Sequence, residues 1–280
     1  MNPYVVSCDL SILWPSAGHR VSSDTVDAFR TAVQCALREC VGESQWIPDQ
    51  ELKDGLAELT ARCSMPIVSL DPIYAPTNLP LSLTRLVDDQ LADAGYGARD
   101  GSPIHLRSLV RSIVEKLTER DIALVDDVLF SGAMMEHLIS LFAEHNVRVR
   151  RIFAGVAIGE GVDRLSAINC PVSSVFFYPE VIDEICERDF LPGAPMSGRT
   201  IRARQNTGAP YLLPFGKPVT WASIPVEKER TFSMAVLRAS ADFYDTIPLR
   251  VEELPRHIFD ISTKKDELVS HVLRKMAQRI

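Results

Sequence analysis

Apolar residues along this chain alternate between unbroken runs and helically spaced stripes. Ile122-Ala-Leu-Val125 is one such run; it leads into Asp126-Asp127 and Val128-Leu129, after which Met135, Leu138 and Phe142 recur at helical spacing. The next run, residues 152–158, has no polar alternation, as expected of a strand buried on both faces. The pattern predicts strand, loop, helix and strand. Such a crossover unit is right-handed and places its ligand site beyond the carboxyl ends of the strands. Asp126, Asp127 and the Ser131-Gly132 turn all fall at that end.

The flanking segments extend the same grammar. Tyr4-Val-Val-Ser-Cys8 is a short β-prone run, and Ser22-Ser23-Asp24 offers capping residues to a helix carrying Val26, Phe29, Val33 and Leu37 on one face. A further helix is expected over residues 49–62. Ile67-Val-Ser-Leu70 reads as a strand ending at Asp71, and the prolines between Pro72 and Pro80 are expected to exclude regular structure. Glycines at 95, 97 and 101 around Tyr96 and Arg99 suggest a mobile loop able to close over a ligand. Residues 106–117 have helical pattern, and residues 174–178 are β-prone.

Beyond Cys186 turn formers dominate, and Tyr211, Phe215 and Trp221 belong to a second loop that caps a site or fills an interface. Helices over 227–244 and 264–279 close the chain, the last a candidate oligomer contact. The pattern as a whole implies an α/β protein: a parallel sheet flanked by helices over residues 65–225, an N-terminal strand and helices over 1–64, and C-terminal helices over 226–280.

Composition narrows the class. A chain of 280 residues with 46% hydrophobic content can bury a substantial core. A formal net charge of −7 disfavours general affinity for nucleic-acid phosphate and leaves room for a local basic site. The cysteines at 8, 35, 40, 63, 170 and 186 lack metal-site spacing and read as free thiols of a reducing cytoplasm. No apolar run approaches the roughly 18 residues of a membrane span, and Met1-Asn2-Pro3-Tyr4 lacks the flank of a signal peptide.

The run Val125-Asp126-Asp127-Val128-Leu129-Phe130-Ser131-Gly132 resembles the PRPP-binding loop of type I phosphoribosyltransferases, in which a hydrophobic strand ends in two acidic residues and continues into a Thr/Ser-Gly turn. The resemblance implies a phosphoribosyltransferase-like fold, PRPP or a related phosphoribosyl compound as ligand, and Mg²⁺ as cofactor. It implies that Asp126 and Asp127 hold the ribose hydroxyls, directly or through Mg²⁺. Ser131, Gly132, Ala133 and Met134 would cradle the 5′-phosphate at a helix start. It also suggests a pyrophosphate loop at residues 71–78 with Asp71 and Arg85, Phe130 and Phe190 as base-stacking aromatics (the latter in Phe190-Leu-Pro-Gly193), and Arg199 facing the pyrophosphate.

The loop departs from the family pattern in ways that bear on activity. Ala133 and Met134 are apolar where phosphate-binding side chains are usual, and Phe130 stacks but exchanges no proton. An aromatic at that place resembles the loop Asp-Asp-Val-Leu-Tyr-Thr-Gly of the pyrimidine-operon regulators. The sequence therefore supports transfer of a phosphoribosyl group to an unidentified acceptor, with a non-catalytic nucleotide- or PRPP-sensing module as the alternative. A homodimer is expected, and the loops between 186 and 225 raise a protein partner, as in toxin or phage-defence assemblies. Asp9-Leu10-Ser11 resembles the start of haloacid-dehalogenase phosphatases, with Ser11 in place of their second aspartate.

Overall fold

The computed structural model describes residues 2–202, 204, 207–254, 258–259 and 263–280. In chain order the first elements are β1 (Tyr4–Ser7), α1 (Leu10–Ser16), α2 (Ser23–Val41), β2 (Ser44–Ile47), α3 (Asp49–Ala61), β3 (Ile67–Ser69) and β4 (Leu79–Pro80). There follow β5 (Leu83–Val87), β6 (Asp93–Ala98), α4 (Leu106–Val114), β7 (Asp121–Leu129), α5 (Ala133–Ala143), β8 (Arg148–Ile158), α6 (Gly159–Ala167) and β9 (Val172–Tyr178). The last are β10 (Asp183–Cys186), β11 (Arg199–Ile201), β12 (Gly208–Ala209), α7 (Pro218–Trp221), α8 (Glu229–Thr246) and α9 (Val269–Arg279).

The chain forms two compact units. One gathers residues 1–47, 86–94 and 182–280; the other holds 48–85 and 95–181. Contacts thus group the chain differently from the sequential segments 1–64, 65–225 and 226–280.

The second unit is built on a parallel sheet in the order β4-β3-β7-β8-β9. Ile122, Leu124, Ile152 and Ala154 project from it into a core shared with Met135, Leu138 and Phe142 of α5. α3 packs on β8 and β9. Helices on both faces explain why β7 and β8 read as continuous apolar runs. The helix over 106–117 ends earlier than the pattern suggested, at Val114.

Some expectations are corrected here. β7 runs through the acidic pair to Leu129, since Asp126 pairs with Ala154 and Val128 with Val156, so the loop is confined to residues 130–132. The proline-rich stretch does contain a strand: Leu79 and Pro80 pair with Val68 and Ser69, at the sheet edge where proline's missing N–H is tolerated. The glycine-rich segment expected to be a mobile loop belongs largely to β6, because neighbouring β5 supplies strand pairing that its composition alone would not favour.

The first unit contains a smaller parallel sheet, β10-β1-β2. Tyr4 pairs with Asp183 on one side and Ser44 on the other. α2 is capped as expected, with the Ser22 hydroxyl accepting the Thr25 N–H at 3.2 Å, and Val26, Phe29, Val33 and Leu37 are buried. They meet α8 through Phe243, which lies 5.8 Å from Phe29 ring to ring. α9 starts at Val269, later than the stripe suggested. In the same unit β11 pairs with the end of β5, Thr200 with Leu86 and Ile201 with Val87.

At the end of β1 a buried charge network forms. Asp9 accepts from the Arg188 guanidinium at 2.7 Å and from the Arg188 N–H at 3.0 Å, while Glu187 accepts from Arg30 at 2.7 Å and from the N–H groups of Asp9 and Leu10. Asp9 is thereby engaged as a structural carboxylate.

Candidate functional site

The acidic pair, the turn after it and the start of α5 all belong to the second unit. β3 fixes the other participant: the Leu70 N–H bonds to the Val125 carbonyl at 2.9 Å, which sets the following loop beside the acidic end of β7. Asp71, fully buried, turns that loop by accepting the N–H groups of Ile73 and, at 2.9 Å, Tyr74.

These carboxyls share a low-dielectric place. Burial pushes the Asp126 carboxyl well above the usual range; the charges of Asp127 and Asp71 and a hydrogen bond with the Asp127 carboxyl push the same way, opposed by Arg99. The Asp127 N–H meets Asp126 Oδ1 at 3.1 Å, and the Val128 N–H meets Asp127 Oδ1 at 2.9 Å. A carboxyl pair in this state favours proximal cations or hydroxyl donors, since either relieves like-charge repulsion.

The phosphate-type cradle follows. Gly132 adopts φ +74°, a left-handed conformation glycine takes freely, and caps α5. The first intrahelical bond runs from the Glu136 N–H to the Gly132 carbonyl, so the N–H groups of Ala133, Met134 and Met135 have no helical acceptor. Ala133 alone leans on Ser131 Oγ, at 3.4 Å. Ser131, Ala133, Met134 and Phe130 are half-buried.

The back of this turn is closed by α6. A Cβ on Gly161 would lie 2.4 Å from the Phe130 carbonyl oxygen, and Arg164 Nε donates to the Ser131 carbonyl at 2.7 Å while its other nitrogens face Glu136 and Glu160. Sequence reasoning placed Arg99 only in a loop able to close over a ligand and gave Gly161 and Arg164 no part in the site. The Gly159-Glu-Gly161 start of a helix directly after a buried strand is a usable signal for close backbone approach.

The remaining expected site residues belong to other elements. Phe190 is fully buried in the first unit, its ring 5.6 Å from that of Phe232, so it is core and no stacking platform. Arg199 also lies in the first unit, stacked 4.6 Å over Trp221 and 5.7 Å from Tyr211. Arg85 is exposed on β5. No group of three or more His, Cys, Asp or Glu side chains suited to a metal occurs among the described residues. Asp126 and Asp127 fit Mg²⁺ of the kind that keeps water and ligand oxygens for most of its shell.

Several solved structures that resemble this fold are phosphoribosyltransferases. Orotate phosphoribosyltransferase from Mycobacterium tuberculosis is 14% identical, over 45% of this chain and 69% of that one, with a TM-score of 0.27. Adenine phosphoribosyltransferase from Thermoanaerobacter pseudethanolicus is 12% identical over 46% and 79%, with a TM-score of 0.29. UMP synthase from Leishmania donovani is 11% identical over 57% and 38%, with a TM-score of 0.31. No protein-family pattern and no curated protein matches the chain. At such scores the likeness says nothing of the site, whose reading stands on its own residues. Among the described residues no helix is long and apolar enough to cross a membrane.

Proposed function

We propose that the second unit binds PRPP, or a related phosphoribosyl compound, with Mg²⁺, and transfers the phosphoribosyl group to an acceptor with release of pyrophosphate. The observation that carries this reading is the buried pair Asp126 and Asp127, joined by the Asp127 N–H to Asp126 Oδ1 bond and placed on the strand whose next turn opens into α5. Ribose hydroxyls donate to carboxylates, and a 5′-phosphate accepts from the N–H groups of Met134 and Met135 and, in place of the long bond to Ser131 Oγ, from that of Ala133. A sugar phosphate matches both demands at once.

In the transfer, a bond forms from the acceptor's nucleophile to C1 as the C1–oxygen bond to pyrophosphate breaks, and pyrophosphate leaves with the electron pair. Asp126 and Asp127 orient the ribose, the α5 turn fixes the phosphate, and Arg164 positions that turn through Ser131. Mg²⁺, when bound, supplies positive charge to the leaving group.

A second reading, PRPP sensing without turnover, is favoured by Phe130, Ala133 and Met134, which place no proton-exchanging side chain on the loop. Pyrophosphate release with PRPP, Mg²⁺ and a panel of nucleobases separates the two. Release that disappears in Asp127→Asn supports transfer; binding without release under every acceptor supports sensing and removes the enzyme.

A further inference from the structure

A cavity of about 310 Å³ lies in the second unit between the end of α3 and the early part of β8. Leu59, Met65 and Phe153 give it apolar walls, and Arg62, Arg150 and Arg151 line it with positive charge. Among the described residues no acidic side chain lines it. Its volume falls at the small end of ligand pockets, near 300 Å³.

The backbone explains why two consecutive arginines reach one cavity. Ile122 pairs with Val149 and Ala123 with Arg151, so Arg150 is an extra residue in β8 opposite that step. A bulge of this kind re-aims a side chain that simple alternation would send to the other face.

The charges here are poorly neutralised. Asp121 takes both Arg148 at 2.7 Å and Arg150 at 3.0 Å, and those guanidinia hold its carboxyl below the usual range although burial pulls the other way. Arg151 lies 6.0 Å over the Phe153 ring, and among the described residues neither it nor Arg62 has an ion-pair partner. The carboxyl end of α3 contributes roughly half a negative charge, which the three lining guanidinia outweigh, since only Arg150 of them is paired with Asp121.

We infer that this cavity is a binding site for a small organic anion, with a phosphate or similar group held by Arg62, Arg150 and Arg151 and an apolar body against Phe153 and Leu59. Guanidinium forks pair with phosphate oxygens through two parallel hydrogen bonds, and the ring and leucine cover a flat body. The site is separate from the acidic pair and rests on none of the residues used there.

Cys63 lines the cavity and reports on it, while Cys35, exposed in the other unit, serves as the reference. The full chain is labelled with iodoacetamide at low salt, with and without millimolar phenyl phosphate, and each cysteine is read by peptide mass spectrometry. Phenyl phosphate carries no ribose and so makes no hydroxyl contacts at Asp126 and Asp127. It is expected to slow Cys63 labelling about tenfold at tenfold excess over its Kd and to leave Cys35 unchanged. The protection ratio should fall to near one in the R62Q/R151Q variant and with phenol in place of phenyl phosphate; unlabelled, buried Cys170 certifies folding in each case. Equal labelling with and without phenyl phosphate, protection that survives in R62Q/R151Q, or equal protection by phenol overturns the inference.

Discussion

Asp126 and Asp127 are adjacent and buried on β7, the Asp127 N–H donating to Asp126 Oδ1 at 3.1 Å, and the two carboxyls cannot both carry charge without cost. The folded pKa of Asp126 therefore lies above its unfolded value of about 3.9. Stability from this group is complete below about pH 4 and is lost as pH rises through the folded value. Replacing Asp126 by Asn removes the ionised form. The ligand-free variant should melt roughly 4 °C higher near neutral pH, the shift given by about 1 kcal/mol in a unit of this size, and no higher below about pH 4. Melts at both pH values check this; a neutral-pH Tm equal to or below that of the parent contradicts it.

Gly161 meets the Phe130 carbonyl backbone to backbone, so Ala at 161 cannot be absorbed by turning a side chain. The turn at 130–132 must shift. Gly161→Ala is expected to cost about 1–3 kcal/mol in denaturant unfolding, the usual range for overpacking. It should also shrink the Tm gain that PRPP gives. A fully stable variant with an unchanged ligand shift would show that the turn is not held by this contact.

Phe190 was legible as an aromatic near a glycine, and its role is set by burial against Phe232. Phe190→Ala should lose about 3–5 kcal/mol of stability, the cost of an aromatic cavity. A base-stacking role would instead spare stability and weaken acceptor binding, which equilibrium unfolding in urea distinguishes.

Arg188 and Asp9 form an ion pair with both side chains buried. Arg188→Met leaves Asp9 uncompensated and should destabilise by about 3–5 kcal/mol, whereas the double variant Asp9→Leu/Arg188→Met should recover much of it. The denaturant midpoints of the two variants test the coupling. Equal midpoints would mean the carboxylate finds another partner.

Much of the second unit was readable in the chain because its signals are local. β7, α5 and β8 follow one another, and the burial of Ile122, Leu124 and Ile152 on the sheet writes itself into unbroken apolar runs. What was not readable depends on distant partners. β10 exists as a strand because Asp183 pairs with Tyr4, and Asp9 is neutralised by Arg188, 179 positions away. Leu79-Pro80 is a strand only because β3 lies beside it, and β6 only because β5 does. At the site, Asp126 and Asp127 were visible as a doublet, while Asp71 joined them through the Leu70 to Val125 bond, which no spacing rule encodes.

Calorimetric titration of PRPP into the protein with Mg²⁺, alongside Asp127→Asn, tests the central claim most directly. The parent chain should bind with a measurable Kd, and the variant should lose at least about tenfold, or roughly 1.4 kcal/mol. Absence of binding in the parent, or equal affinity in the variant, would contradict the assignment of this carboxyl pair to a phosphorylated sugar.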